Sequence, residues 1–89
     1  MRAERTVLIA NKRGLHARAS AKFVTLASSQ PVEVSVARDG QSVTGTSIMG
    51  LMMLGAAMGD TITISAAGDG AEDAVLKLVG LVEDRFGED

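Results

Sequence analysis

Val32-Glu33-Val34-Ser35-Val36-Ala37-Arg38-Asp39-Gly40-Gln41-Ser42-Val43-Thr44 is the stretch that decides the fold. Val32, Val34 and Val36 alternate with Glu33 and Ser35, the pattern of a strand with one buried face and one wet one. Asp39-Gly40 is a strong hairpin signal, and Gln41 to Thr44 reads as the returning strand. A sheet of this kind is antiparallel, and its dry face has to be covered by helices.

Upstream of the hairpin, Ala17 to Ser28 carries Ala19, Phe23, Leu26 and Ala27 at helical spacing, an apolar stripe that needs a sheet. Ser28-Ser29-Gln30-Pro31 ends that helix, since proline cannot sit in mid-helix. Before it, Thr6 to Ala10 reads as a strand, with Arg5, Val7 and Ile9 on one face and Thr6, Leu8 and Ala10 on the other.

Downstream, Ile48 to Leu54 is a short apolar helix, with Ser47 or Thr46 as N-cap and Gly55 as its stop. Asp60 to Ala66 is the last strand, with Ile62 and Ile64 inward. Asp69 and Glu72 resemble a capping box for a final helix whose stripe is Ala71, Val75, Leu78 and Val82. The acids Glu83, Asp84, Glu88 and Asp89 oppose that helix's dipole, so the tail is expected to fray. The order β-α-β-β-α-β-α predicts an open-faced α/β (α+β) sandwich. Its four-stranded antiparallel sheet would be covered on one face by three helices, in one domain over residues 1–89.

Composition narrows the function. The chain has no cysteine, which removes disulfides and thiolate metal sites and fits a reducing cytoplasm. Net charge is −2, with two phenylalanines and no tyrosine or tryptophan, so neither the basic surface nor the stacking platforms for nucleic acid are present. The charged start Met1-Arg2-Ala3-Glu4-Arg5 does not read as a signal peptide. The apolar run from Ile48 to Met58 falls far short of the roughly 20 residues that span a membrane.

The one histidine, His16, sits in Gly14-Leu15-His16-Ala17-Arg18, where a strand gives way to a helix. A helix N-terminus favours anions, yet the nearby charges are Lys12, Arg13, Arg18 and Lys22, with no acid between Arg5 and Glu33. Basic residues in a first turn oppose the dipole by a few tenths of a kcal/mol each. The missing negative charge points to a phosphate, and His16 is the side chain suited to carrying one covalently. Imidazole titrates near neutrality, so a ring nitrogen is available as nucleophile; the residues leave Nδ1 and Nε2 open. Other chemistries fit poorly. A zinc site would have one histidine and only carboxylates beside it. No nucleophile elbow is present, and Gly68-Asp69-Gly70 is a turn that lacks phosphate-loop spacing. No metal and no cofactor is expected.

Gly14-Leu15-His16-Ala17-Arg18 followed by a small-residue helix resembles the active-site motif of the HPr family, the histidine-containing phosphocarriers of the bacterial phosphoenolpyruvate-dependent phosphotransferase system. The resemblance spans most of the chain and includes a second motif, Thr46-Ser47-Ile48-Met49-Gly50-Leu51. The family often has proline where Ala19 stands, and a small polar residue where Arg13 stands. The resemblance implies the same sandwich topology, phosphorylation of His16 at Nδ1, and Arg18 pairing with the phosphate. The amides of Ala17 and Arg18 would add donors. It also implies a monomer taking a phosphoryl group from enzyme I and passing it to an EIIA-type protein.

The second motif is informative by itself. Ile48, Met49, Leu51, Met52, Met53 and Leu54 surround two turns of helix almost completely, so a small sheet cannot bury them all. Some form an exposed patch, for which methionine is well suited. The resemblance gives Ile48, Met49 and Met52 to partner binding, leaves Leu51 and Leu54 as core, and makes Ser47 a site for an HPr serine kinase/phosphatase. The rival reading is a regulatory interaction module acting through this helix and Ser47. The intact His16 and Arg18 disfavour it.

Overall fold

In the computed structural model, which describes residues 1–88, Asp39 and Gly40 both hold positive φ, at 50° and 81°. Their turn joins β2 (Val34–Arg38) to β3 (Gln41–Thr44) with Val36 opposite Val43. Paired left-handed residues match the strand twist, and Asp and Gly tolerate that region. Val32 lies ahead of the strand and packs against the core from there.

β1 (Arg2–Leu8) pairs antiparallel with β4 (Thr61–Ala67), Val7 opposite Ile62 and Ala3 opposite Ala66. β4 also pairs with β2, Ile64 opposite Val36, which gives the order β1-β4-β2-β3. β1 and β2 therefore run parallel. The helix α1 (Ala17–Ser28) crosses between them, and β4 fills the gap it leaves. The wet face is polar, with Thr6 and Thr63 hydroxyls 3.0 Å apart.

β1 begins and ends earlier than the expected Thr6 to Ala10, because its backbone pairs along the whole of β4, while the expected faces hold, with Val7 and Ile9 buried and Thr6 and Leu8 exposed. Arg5, on the face of Ala3 and Val7, stays exposed by pairing with Glu72 at 2.7 Å. β4 begins at Thr61 because the Asp60 carboxylate is held in the preceding loop. It accepts from the Ala57 N–H at 2.9 Å and the Arg38 guanidinium at 3.0 Å.

α2 (Ile48–Met53) follows the hairpin, and α3 (Ala71–Glu83) follows β4. The expected α3 stripe of Ala71, Val75, Leu78 and Val82 is buried throughout. It meets Phe23 of α1, Leu51 of α2 and the inward Val34, Val36, Ile62 and Ile64 in one core. Burying each large side chain contributes about 1.5–3 kcal/mol, so any of them outweighs an exposed ion pair at up to about 1 kcal/mol.

Two expectations at α3 need correction. The capping box does not form: the N-cap is Gly70, left-handed at φ 88°, with no side-chain bond. Gly68 and Gly70 carry the turn past Val32 and Pro31, and Glu72 is engaged by Arg5 instead. Nor does the tail fray as far as Glu88. A 3-10 turn at Arg85–Gly87 folds it back, Phe86 is buried, and the Lys22 ammonium donates to the Phe86 carbonyl at 2.6 Å. A cation at a helix C-terminal end offsets the dipole that the local acids oppose. Asp89 lies outside the described residues.

Candidate functional site

His16 is the N-cap of α1, with φ −75° and ψ 179°. Its Nδ1 accepts from the Arg18 N–H at 3.3 Å, the role a serine or aspartate oxygen usually takes. The next turn closes through the Ser20 N–H to the His16 carbonyl at 2.9 Å. Ala17 and Arg18 are exposed, Ala19 and Ser20 buried, and no acid occupies the first turn. The helix thus starts at the expected residue with Ala19 in place of proline.

The loop before His16 is built on Gly14 and Asn11. Gly14 is left-handed at φ 62°, and a Cβ there would collide with the Ala56 carbonyl. Leu15 fixes the same contact by donating to that oxygen at 3.0 Å. Asn11 is fully buried, and its amide donates to the Gly14 carbonyl at 2.9 Å and to Glu88 Oε1 at 3.1 Å.

The other Glu88 oxygen, Oε2, lies 2.6 Å from His16 Nε2. Between them the two side chains leave only 16% and 18% of their surfaces exposed. Burial works to raise the Glu88 pKa. The hydrogen bonds from His16 and Asn11, with the nearby charge of Lys22, outweigh it and hold the carboxyl below its ordinary range. An ionised carboxylate only accepts, so Nε2 carries the ring proton and Nδ1 keeps its lone pair. The sequence left the two nitrogens open; their partners distinguish them.

The sequence reading missed Glu88 and Asn11. Glu88 stands 72 residues from His16, so the acid absent from α1's neighbourhood is supplied across the fold. A signal existed in Phe86, four residues beyond Val82 on the α3 stripe, which marked a tail that packs back rather than frays.

Ser47 caps α2, its Oγ accepting from the Gly50 N–H at 2.9 Å, whereas Thr46 bonds to Thr44 instead. Leu51 and Leu54 are buried, while Ile48, Met49, Met52 and Met53 are exposed, Met49 by 71%. Arg38 fixes the end of α2 by donating to the Leu54 carbonyl at 2.9 Å. α1 and α2 pack together, so the histidine and the apolar patch stand on neighbouring elements. Among the described residues no His, Asp and Glu group could hold a metal ion, and no helix is long and apolar enough to cross a membrane.

The family model described as "PTS HPr component phosphorylation site" matches residues 3–84. The phosphocarrier protein HPr of Cupriavidus necator is 45% identical over 85 residues, 96% of either chain. The phosphocarrier protein NPr of Shewanella violacea is 40% identical over 85 residues, 96% of this chain and 93% of its own. The crystal structure of HPr-C-His from Thermoanaerobacter tengcongensis superposes with a TM-score of 0.92 at 45% identity, covering 98% of each chain. A capping histidine in an acid-free first turn, on this sheet order and with these relatives, has one family behind it: the chain belongs to the HPr phosphocarriers of the phosphotransferase system.

Proposed function

We propose that this protein carries a phosphoryl group on His16, taken from enzyme I charged by phosphoenolpyruvate and passed to an EIIA-type protein. The observation that carries the reading is the asymmetry of the imidazole. Nε2 is engaged by Glu88 at 2.6 Å, whereas Nδ1 has only a long bond from the Arg18 amide. The Nδ1 lone pair attacks the donor's phosphorus; the N–P bond forms as the donor's bond to phosphorus breaks and the donor keeps that electron pair. The guanidinium of Arg18 pairs with the phosphoryl oxygens, and the Ala17 and Arg18 amides of the helix N-terminus add donors. The EIIA-type acceptor then attacks the same phosphorus, and the pair returns to Nδ1.

Ile48, Met49 and Met52 serve as the docking patch for both partners, supported by their exposure over a buried Leu51. Ser47, at the head of that helix, is the site for an HPr serine kinase/phosphatase. The test is incubation with enzyme I and phosphoenolpyruvate. One acid-labile phosphoryl group per chain is expected, and none on His16→Ala; labelling that persists in that variant and resists acid overturns the reading.

A further inference from the structure

We infer that Glu88 is a positioning residue for phosphoryl transfer. Delivered by the folded-back tail and locked by Asn11, it holds the imidazole through Nε2–H so that Nδ1 faces the incoming phosphorus. The inference rests on His16 being the acceptor.

Three features of the fold converge on this contact. First, the tail reaches it through an unfavourable turn. Arg85, Phe86 and Gly87 are left-handed in succession, at φ 56°, 55° and 74°. Non-glycine residues seldom hold that region, and two in a row persist only where the surroundings over-determine them. Here the buried Phe86 ring and the Lys22 bond to its carbonyl do so. Second, Asn11 is fully buried with its amide committed to Glu88 Oε1, which orients the carboxylate from behind. Third, two donors, Asn11 Nδ2–H and His16 Nε2–H, converge on one side chain. A carboxylate offers an acceptor oxygen to each; an amide offers one oxygen and a competing donor.

The chemistry uses this arrangement. A neutral imidazole that attacks through Nδ1 becomes positively charged, with its remaining proton on Nε2. A carboxylate fixed at that proton stabilises the charge as it develops and stops the ring from rotating away from the line of attack. The carboxylate approaches the Nε2 edge and leaves Nδ1 to Arg18 and the partner. That geometry is why Glu88 is an orienting group rather than an anion occupying the phosphoryl position.

The full chain, Glu88→Ala and Glu88→Gln are compared in single-turnover transfer from phosphorylated enzyme I over a range of carrier concentrations. Proton NMR of the His16 ring N–H and thermal melting accompany the kinetics. The wild type is expected to show a ring N–H protected from exchange, which Glu88→Ala loses. The saturating transfer rate falls about tenfold to a hundredfold in Glu88→Ala. Glu88→Gln loses less, the half-saturating concentration stays as in the wild type, and both variants remain fully folded at the assay temperature. An unchanged or faster saturating rate, a defect confined to half-saturation, or one that tracks the unfolded fraction overturns the inference. A wild-type chain that takes no phosphoryl group on His16 overturns the phosphocarrier reading instead, and the ring N–H signal still reports the Glu88 contact.

Discussion

Gly14 packs directly on Ala56: the next residue, Leu15, donates its N–H to the Ala56 carbonyl at 3.0 Å, and a Cβ on Gly14 would overlap that oxygen. The loop that presents His16 is thereby tied to the segment following α2. Gly14→Ala adds that overlap to the strain of a left-handed alanine. It should cost about 2–4 kcal/mol, which lowers the melting temperature by roughly 10 °C or more. An unchanged melting curve would mean that this contact does not constrain the loop.

Chemistry and docking should separate by mutation. Arg18 is exposed in the first turn of α1, so Arg18→Ala slows transfer at saturation by about tenfold or more while stability changes by less than about 0.5 kcal/mol. Met49 is the most exposed part of the assigned contact patch. Met49→Glu places an unpaired charge in an apolar contact and should weaken enzyme I binding by about 2 kcal/mol or more, close to thirtyfold. Titration of enzyme I with Met49→Glu at wild-type affinity would refute the patch assignment.

Ser47 accepts the Gly50 N–H at 2.9 Å, and aspartate is an equally good N-cap. Ser47→Asp, a mimic of the phosphorylated residue, should therefore keep the melting temperature. Its charge stands at the edge of the patch, against a partner drawn to the basic surround of His16 and so presenting acids. Such a rim charge acts mainly on association rate. Transfer should be slowed most at low salt and recover as the Debye length drops from about 10 Å at 0.1 M to about 3 Å at 1 M. A rate loss independent of salt, or one accompanied by unfolding, argues against this mechanism.

Glu88 also predicts how stability responds to acid. Its carboxyl pKa is lowered in the folded chain, so its contribution is fully present above the ordinary value of 4.5 and is lost as pH falls through the lower folded value. Glu88→Gln lacks that titration. Its melting temperature should lie below the wild type's above pH 4.5 and approach it as the pH is lowered further. Parallel melting curves across the acid range would contradict a charged Glu88 in the folded state.

Local sequence determined a good deal of this protein. The Asp39-Gly40 turn, the extent of α1, the Ser47 cap and the presence of exposed apolar side chains on α2 were all legible, while the division into buried Leu51 and Leu54 and exposed Ile48, Met49 and Met52 came from the HPr resemblance. Each depends on residues a few positions apart: turn conformation, side-chain spacing along a helix, a hydroxyl within reach of the N–H three residues on. The HPr kinship was legible for the same reason, because Gly14 to Arg18 is one contiguous run.

Tertiary structure decided what the local signals could not. The extent of β1, Arg2–Leu8, was set by its pairing with β4, although its own alternation had already marked Val7 and Ile9 as the buried face. The spacing of Asp69 and Glu72 suited a capping box, but Gly68 and Gly70 set the turn and Arg5 claimed Glu72. Above all, the acidic tail reads locally as a helix end destined to fray, while in the fold Glu88 meets His16 and Asn11. A carboxylate's partner is set by what the packed helices bring within about 3 Å, and that distance has no counterpart along the chain. Only the burial of Phe86 and the Lys22 bond behind it convert an unfavourable tail into the group that distinguishes the two nitrogens of His16.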